Sequence, residues 1–359
     1  MGIFCDSGAE SVEGAIKLAY KYYYGKRKTI LHSNISFHGK LLGSASVTAS
    51  KEVYFKYPQI PNTDSFEYGN INSIKEKIQN HKIKSGNSDI YALIIEPFQT
   101  LTVNQCDSEF LIQLQKICND NDIVLIFDEV YTGWYKTGPL FNFMRTDVLP
   151  DIVTTSKSLG GGKASISAYT SRENILKKAY GNTRDALLHT STYNGFGEEC
   201  ITAIEAINIM QEEHFGDNSL MIEQIVKNRC KKLLAEFNNE VKECKGSGAL
   251  HGIFFKTDDL LISKILKLTP LSIAKDPKFV SKLAAAAISD WMFRNYNILV
   301  IFSNTDQVSL FFKPSLVIKE QEINYFFDCL ERTLEKGFWK IVMTFASKQF
   351  SKYINFGSM

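Results

Sequence analysis

Two apolar runs decide what this chain can become. Ile90–Ile95 reads IYALII and Ile123–Phe127 reads IVLIF, with no charged or amide side chain in either. A half-exposed strand would alternate apolar and polar residues, so these runs fit strands buried on both faces. Between them, Asp107 or Ser108 caps a helix that puts Phe110, Leu111, Leu114, Ile117 and Cys118 on one face. A strand–helix–strand order pairs the strands in parallel through right-handed crossovers and places ligand groups outside their carboxyl ends. The chain opens with the same rhythm. Ile3-Phe4-Cys5 ends a strand, and Val12, Ala15, Ile16, Ala19 and Tyr23 follow at helical spacing. Ile152–Thr155 is a further strand, and a helix over Glu198–Glu212 turns Cys200, Ala203, Ile204, Ile207 and Met210 inward.

Beyond that helix the pattern changes. Lys227–Lys245 is rich in Lys, Glu and Asn and reads as a solvated helix crossing between domains. Ala249–Phe255, Ile298–Phe302 and Val308–Phe312 read as strands, and Val280–Trp291 and Glu320–Leu334 as helices; Trp339–Met359 has no clear period. The expected architecture is α/β. A large domain over residues 1–225 has a mostly parallel central sheet flanked by helices, and a smaller C-terminal α+β domain covers 226–359.

Composition narrows the function classes. At 359 residues the chain is long enough for two domains of roughly 150 residues each. Lys plus Arg is 41 against 39 for Asp plus Glu, and no basic block stands out, which argues against a nucleic-acid partner. The seven cysteines form no CxxC pair, so neither a disulfide framework nor a metal site is expected. Asp6, Glu10 and Glu13 break up any signal-peptide core, and no apolar run nears the roughly 20 residues of a membrane span. A cytoplasmic protein without a membrane partner is the expectation.

Four features lie at turns that follow strands. Ser7-Gly8-Ala9-Glu10 opens a helix with small residues, so backbone N–H groups can close on an anion such as phosphate. Phe37-His38-Gly39 sets an aromatic ring beside a proton-transfer group. Asp128 ends a strand buried on both faces, where a carboxylate must meet a cation or a strong donor. Lys157 follows another strand and precedes Gly160-Gly161-Gly162, as a Schiff-base lysine at a sheet edge would. Each also has a plain structural reading: a tight turn, core aromatic and histidine residues, a carboxylate satisfied by an arginine or a helix start, an ordinary lysine. In combination they supply an amine for an aldehyde, a carboxylate for a ring nitrogen, an aromatic face and a phosphate cradle. Pyridoxal 5′-phosphate is the cofactor that demands this set.

The segments FCDSGAESVEGAIKLA (4–19), FHGKLLGSASVT (37–48), LIIEPFQ (93–99), LIFDEVYTGWYKTG (125–138), PDIVTTSKSLGGG (150–162) and HTSTYNG (189–195) resemble the class-III, ornithine/4-aminobutyrate type of pyridoxal-phosphate-dependent aminotransferases. KPSLVIKEQEI (313–323) extends the resemblance into the C-terminal domain. The resemblance implies fold type I, with Lys157 as the lysine that binds the cofactor aldehyde and Asp128 as the partner of the pyridine nitrogen. Ser7, Gly8 and Ala9 would form the phosphate turn, Phe37 would stack on the ring with His38 beside it, and Val130 and Tyr131 would lie next to it. Glu96 falls near the substrate side, and Thr192 would reach the phosphate of a neighbouring subunit, which implies a homodimer with shared active sites. The implied reaction moves an amino group from an amine or amino-acid donor to an oxo-acid or carbonyl acceptor. An aminomutase, a decarboxylase or a non-catalytic member of the family are the alternatives.

Departures from the family pattern matter as much. The family places a segment before the first strand seen here, so that N-terminal portion is expected to be absent. Tyr131 stands where the family usually has glutamine, and its phenol can still bond the cofactor's ring hydroxyl. Gln99-Thr100-Leu101 replaces a Gln-Gly-Glu triplet, with loss of an acid. Phe311 stands where many members have a carboxylate-binding arginine, which argues against simple amino-acid selectivity.

Overall fold

Alternate residues of the two apolar runs go to opposite faces of one sheet. The computed structural model describes residues 1–49, 56–83, 86, 88–185, 187–257, 278–303 and 308–356. They form two units, one of Met1–Thr100 with Gln105–Gly216, the other of Leu101–Asn104 with the chain from Asp217 onward. The division falls at 216/217, earlier than the 225/226 expected from composition. Helix Phe215–Glu236 spans that point, so no break in helical pattern marks it.

In the first unit the central sheet contains β1 (Gly2–Cys5), β2 (Thr29–Ser33), β3 (Thr63–Phe66), β4 (Ile90–Ile95), β5 (Val124–Asp128), β6 (Ile152–Thr155) and β7 (Ser167–Ser171). Their order is β1-β7-β6-β5-β4-β2-β3. The β3, β2, β4, β5 and β6 neighbours pair in parallel; β7 runs antiparallel to both β6 and β1. Ala92, Ile94, Val124 and Ile126 face the helix Gly8–Tyr22, joining Val12, Ala15, Ile16 and Ala19. Leu93, Ile95, Leu125 and Phe127 face the other way, toward Phe110, Leu111, Leu114 and Cys118 of helix Ser108–Asp120. Full burial of each valine, leucine, isoleucine or phenylalanine among them is worth about 1.5–3 kcal/mol, so the two-faced burial of β4 and β5 anchors the unit. Asp107 is the cap of the second helix, accepting from Phe110 N at 2.7 Å.

Strands β2 (TILHS), β3 (TDSF) and β7 (SAYTS) escape sequence reading because they are short and carry polar residues. Helix Gly197–Glu212 forms as expected, but it buries Ala203, Ala206 and Met210 and leaves Ile204 59% exposed. The inward face is rotated from the expected one.

The second unit has an antiparallel sheet of β8 (Val241–Ser247), β9 (Leu250–Phe255) and β10 (Leu310–Phe312), with β9 central. Helices Phe279–Tyr296, Glu320–Glu335 and Phe338–Phe356 belong to it. Phe312, Phe326 and Phe327 cluster with ring centroids 4.7–5.7 Å apart. Arg229 ties its helix to Asp328 and Glu331 at 2.7 and 2.8 Å.

Two expectations are corrected here, and one stretch without a sequence assignment gains a structure. Lys227–Lys245 is not one helix: the helix stops at Glu236, and Val241–Ser247 pairs in the sheet. Ile298–Phe302 is not a strand; only Phe302 makes a bridge, to Leu310, while Leu299 and Ile301 point to solvent. The tail from Trp339 lies in a helix through Phe356, with Phe338, Ile341, Val342 and Ala346 buried; residues 357–359 lie outside the described residues. Among the described residues, no helix is long and apolar enough to cross a membrane.

Candidate active site

Parallel pairing brings the carboxyl ends of β2, β4, β5 and β6 to one edge of the sheet, and the turns that follow them touch. Gly8 shows how closely: a Cβ there would lie 2.8 Å from Val130 Cγ1 and 3.4 Å from Ser156 Cβ. Gly39 has a φ of +126°, and a Cβ on it would meet Ala9 Cβ at 2.8 Å. Only glycine lets the Phe37-His38-Gly39 turn and the Ser7-Gly8-Ala9 turn approach like this.

Asp128 ends β5 and is buried. Its Oδ1 accepts from Val130 N at 3.0 Å and Thr154 Oγ1 at 3.1 Å, and its Oδ2 accepts from His38 Nδ1 at 2.7 Å. A carboxylate only accepts, so Nδ1 carries the hydrogen of that bond. The other ring nitrogen, Nε2, is buried and without a partner among the described residues. Thr154 was missed from sequence, although it is Asp128's register partner on β6. Pairing of β5 with β6 was the signal, and it is visible only once the strands are aligned.

Glu96 follows β4 and is buried. Its Oε2 accepts from Phe37 N at 2.9 Å and Gln99 Nε2 at 3.2 Å. Burial pushes its carboxyl up to about 7; Asp128 adds to the rise, while His38 and the two hydrogen bonds oppose it. Glu129 is also raised to about 7 by burial, but it serves structure, accepting from Thr132, Asn142 N and Phe143 N.

Those raised values have a consequence for stability. Between an ordinary 4.5 and about 7, the folded protein holds a proton on Glu96 that the unfolded chain releases. The stabilisation linked to this proton is complete below about pH 4.5 and is lost as pH rises through about 7. Glu96→Gln removes this dependence, while Glu129 contributes equally to both proteins. Melting temperature therefore falls less steeply between pH 5 and 7.5 in the variant, and equal slopes would contradict this.

Lys157 lies one residue past Ser156, at the start of a short 3-10 turn, with φ +47°. Left-handed backbone at a non-glycine residue costs about 1–2 kcal/mol, strain of the kind found at functional sites. The residue as a whole is open to solvent, yet its amine is crowded by protein. Desolvation holds its pKa below the ordinary lysine value, against the pull of Asp128 and Glu96. Nζ lies 4.8 Å from the centroid of the Tyr131 ring.

Ser7 caps helix Gly8–Tyr22 in a capping box with Glu10, whose Oε2 accepts from Asp6 N at 3.0 Å and Ser7 N at 2.8 Å. The amides of Gly8 and Ala9, in the first turn, have no carbonyl four residues back within the helix and are left for another acceptor. Phe37 is partly exposed beside His38. Thr192 is exposed; its neighbour Ser191 donates to Asp6 Oδ2 at 2.6 Å, one residue before the Ser7-Gly8-Ala9 turn. In the second unit, Phe311 is buried on β10, with Lys313 Nζ 3.3 Å from its ring centroid.

The fold is that of the pyridoxal-phosphate-dependent enzymes of fold type I. The class-III aminotransferase model matches residues 1–334, and the chain belongs to that family. A transaminase from the marine bacterium Virgibacillus superposes with a TM-score of 0.80 at 21% identity, covering 96% of this chain and 75% of that one. The ornithine aminotransferase of Toxoplasma gondii gives 0.73 at 23% identity, covering 98% and 73%. Taurine:2-oxoglutarate aminotransferase from Bifidobacterium kashiwanohense, solved with pyridoxal phosphate and glutamate, gives 0.78 at 18%, covering 95% and 76%. At these identities the likeness is one of fold; the family match establishes a cofactor-dependent transaminase.

Proposed function

We propose that Lys157 and Asp128 carry the amino-group transfer of this enzyme, with an ω-amine, an amino sugar or another donor lacking an ordinary α-carboxylate as substrate. The observation that supports this most is the His38-held carboxylate at the end of β5, beside a strained, desolvated lysine at the end of the neighbouring strand. The donor set also fits the cofactor: two open amides at a helix start, an orphaned histidine nitrogen next to a carboxylate, and a partly exposed Phe37.

Pyridoxal phosphate, when bound, supplies an aldehyde that takes up the donor's amine and an electron-poor ring that stabilises charge at the adjacent carbon. Asp128, oriented by three donors, would hold a proton on the ring nitrogen. Gly8 and Ala9 would hold the phosphate, Phe37 would cover the ring, and Val130 and Tyr131 would lie beside it. Lys157 Nζ, kept readily neutral by desolvation, takes a proton from the substrate carbon and returns it. Glu96 fixes the backbone of Phe37 and so the height of its ring. The preference for donors without an α-carboxylate rests on the family resemblance, in which Phe311 takes the position of a carboxylate-binding arginine.

The shared site calls for a second copy. Thr192 is flanked by Tyr193, Phe196 and Ile201, all exposed, with Ile201 at 70%. An apolar surface of this kind beside a residue suited to a partner's phosphate supports a homodimer. The unpaired cysteines are in keeping with a cytoplasmic location.

The test supplies purified protein and cofactor with ω-amines, amino sugars and α-amino acids in turn, with an oxo-acid acceptor, and sediments the protein alongside. Amine-dependent formation of an amino-acid product by a dimer, with α-amino acids the poorer donors, is expected. Release of carbon dioxide or rearrangement without an acceptor would replace this reading by decarboxylation or an aminomutase reaction. Protein that ignores the cofactor would mean a non-catalytic member.

A further inference from the structure

We propose that the ring face of Tyr131 is a positioning surface for the Lys157 ammonium, holding the amine between two turns while it is protonated and freeing it when it is neutral. Only the consequence for turnover rests on the functional reading above; the contact is a property of the chain itself.

Tyr131 lies on the turn that follows β5, three residues after Asp128, and Lys157 on the turn that follows β6. The 4.8 Å between Nζ and the ring centroid is inside the roughly 6 Å over which a cation is drawn to an aromatic face. The charged groups acting on this amine are Asp128 from the end of β5 and Glu96 from the end of β4, both of which favour the ammonium, while burial opposes it. Burial also raises the phenol's pKa, so the ring stays neutral. A neutral ring therefore holds the ammonium through its quadrupole and adds no third negative charge. That attraction vanishes when the amine loses its proton. Glutamine, with a dipole and no ring face, has no equivalent.

The experiment frees the full-length chain of bound cofactor with hydroxylamine, then methylates its lysines with 13C-formaldehyde and a reductant, and identifies the Lys157 signal by its loss in Lys157→Arg. In the wild type that signal lies upfield of the other lysines, because its methyl groups sit over the ring. Tyr131→Phe keeps the shift. Tyr131→Leu, which keeps apolar bulk without a π face, loses it and titrates about half a unit to one unit lower. A wild-type signal at the ordinary position, a Phe variant that behaves like Leu, or a Leu variant that titrates at or above wild type would each overturn the proposal. Should the Leu variant fail to fold, the wild-type shift decides alone. No readout uses cofactor or turnover. An inactive protein with the shifted signal sinks the functional reading and leaves this one standing, and an active protein without it does the reverse.

Discussion

Lys157→Ala leaves transfer at about a thousandth of wild-type turnover or less, because in the proposed mechanism one substitution removes both the amine that binds the aldehyde and the group that moves the proton. Acid–base catalysis by a positioned side chain is commonly worth about 10²–10⁴-fold, and loss of the nucleophile adds to that. Lys157→Arg fails as well, since a guanidinium keeps its charge at working pH and cannot act as a base. The fold survives in both, because the residue sits on an open edge and anchors no core packing. Single-turnover absorbance changes with an amine donor, alongside circular dichroism, check this. A variant within tenfold of wild type would place the reacting amine elsewhere.

Asp128→Asn is the second large effect. The shape is kept, but the charge that the proposed mechanism sets opposite the ring nitrogen is lost, and with it about 10²–10³-fold in turnover, the usual cost of removing one preorganised electrostatic partner. His38 Nδ1, Thr154 Oγ1 and Val130 N all donate to this carboxylate. An amide accepts through one oxygen only, so one donor is left short at a stability cost of about 1–3 kcal/mol. Asp128→Ala strands all three and melts lower still. Turnover of Asp128→Asn, normalised to folded protein, separates the electrostatic loss from the structural one. Normal turnover in that variant would remove Asp128 from the mechanism.

The legible parts of the chain were those where one local rule sufficed. Ile90–Ile95 and Ile152–Thr155 were read with their observed limits, because a continuous apolar run in the first and four β-branched residues in the second leave few alternatives. The cap was narrowed to Asp107 or Ser108 by chemistry alone, and the structure selects Asp107. Where packing chose between similar faces, the reading slipped. Helix Gly197–Glu212 has apolar residues around most of its circumference, and the structure buries Ala203 and Ala206 while Ile201 and Ile204 stay outside. Strand β7 could not be seen, since SAYTS becomes a strand only between β6 and β1.

The same division runs through the site. Residue types at strand ends, Asp128 and Lys157 with Gly8 and Phe37, were determined by sequence, because turns after buried strands are where a parallel sheet must present its ligand groups. The partnerships were decided by tertiary structure: His38 on Asp128, Glu96 under Phe37, and Tyr131 beneath the Lys157 amine. These pairs are remote in the chain or aimed by backbone turns. Their distances depend on how β2, β4, β5 and β6 line up, and that alignment is set by burial on both faces of the sheet, which no local pattern encodes.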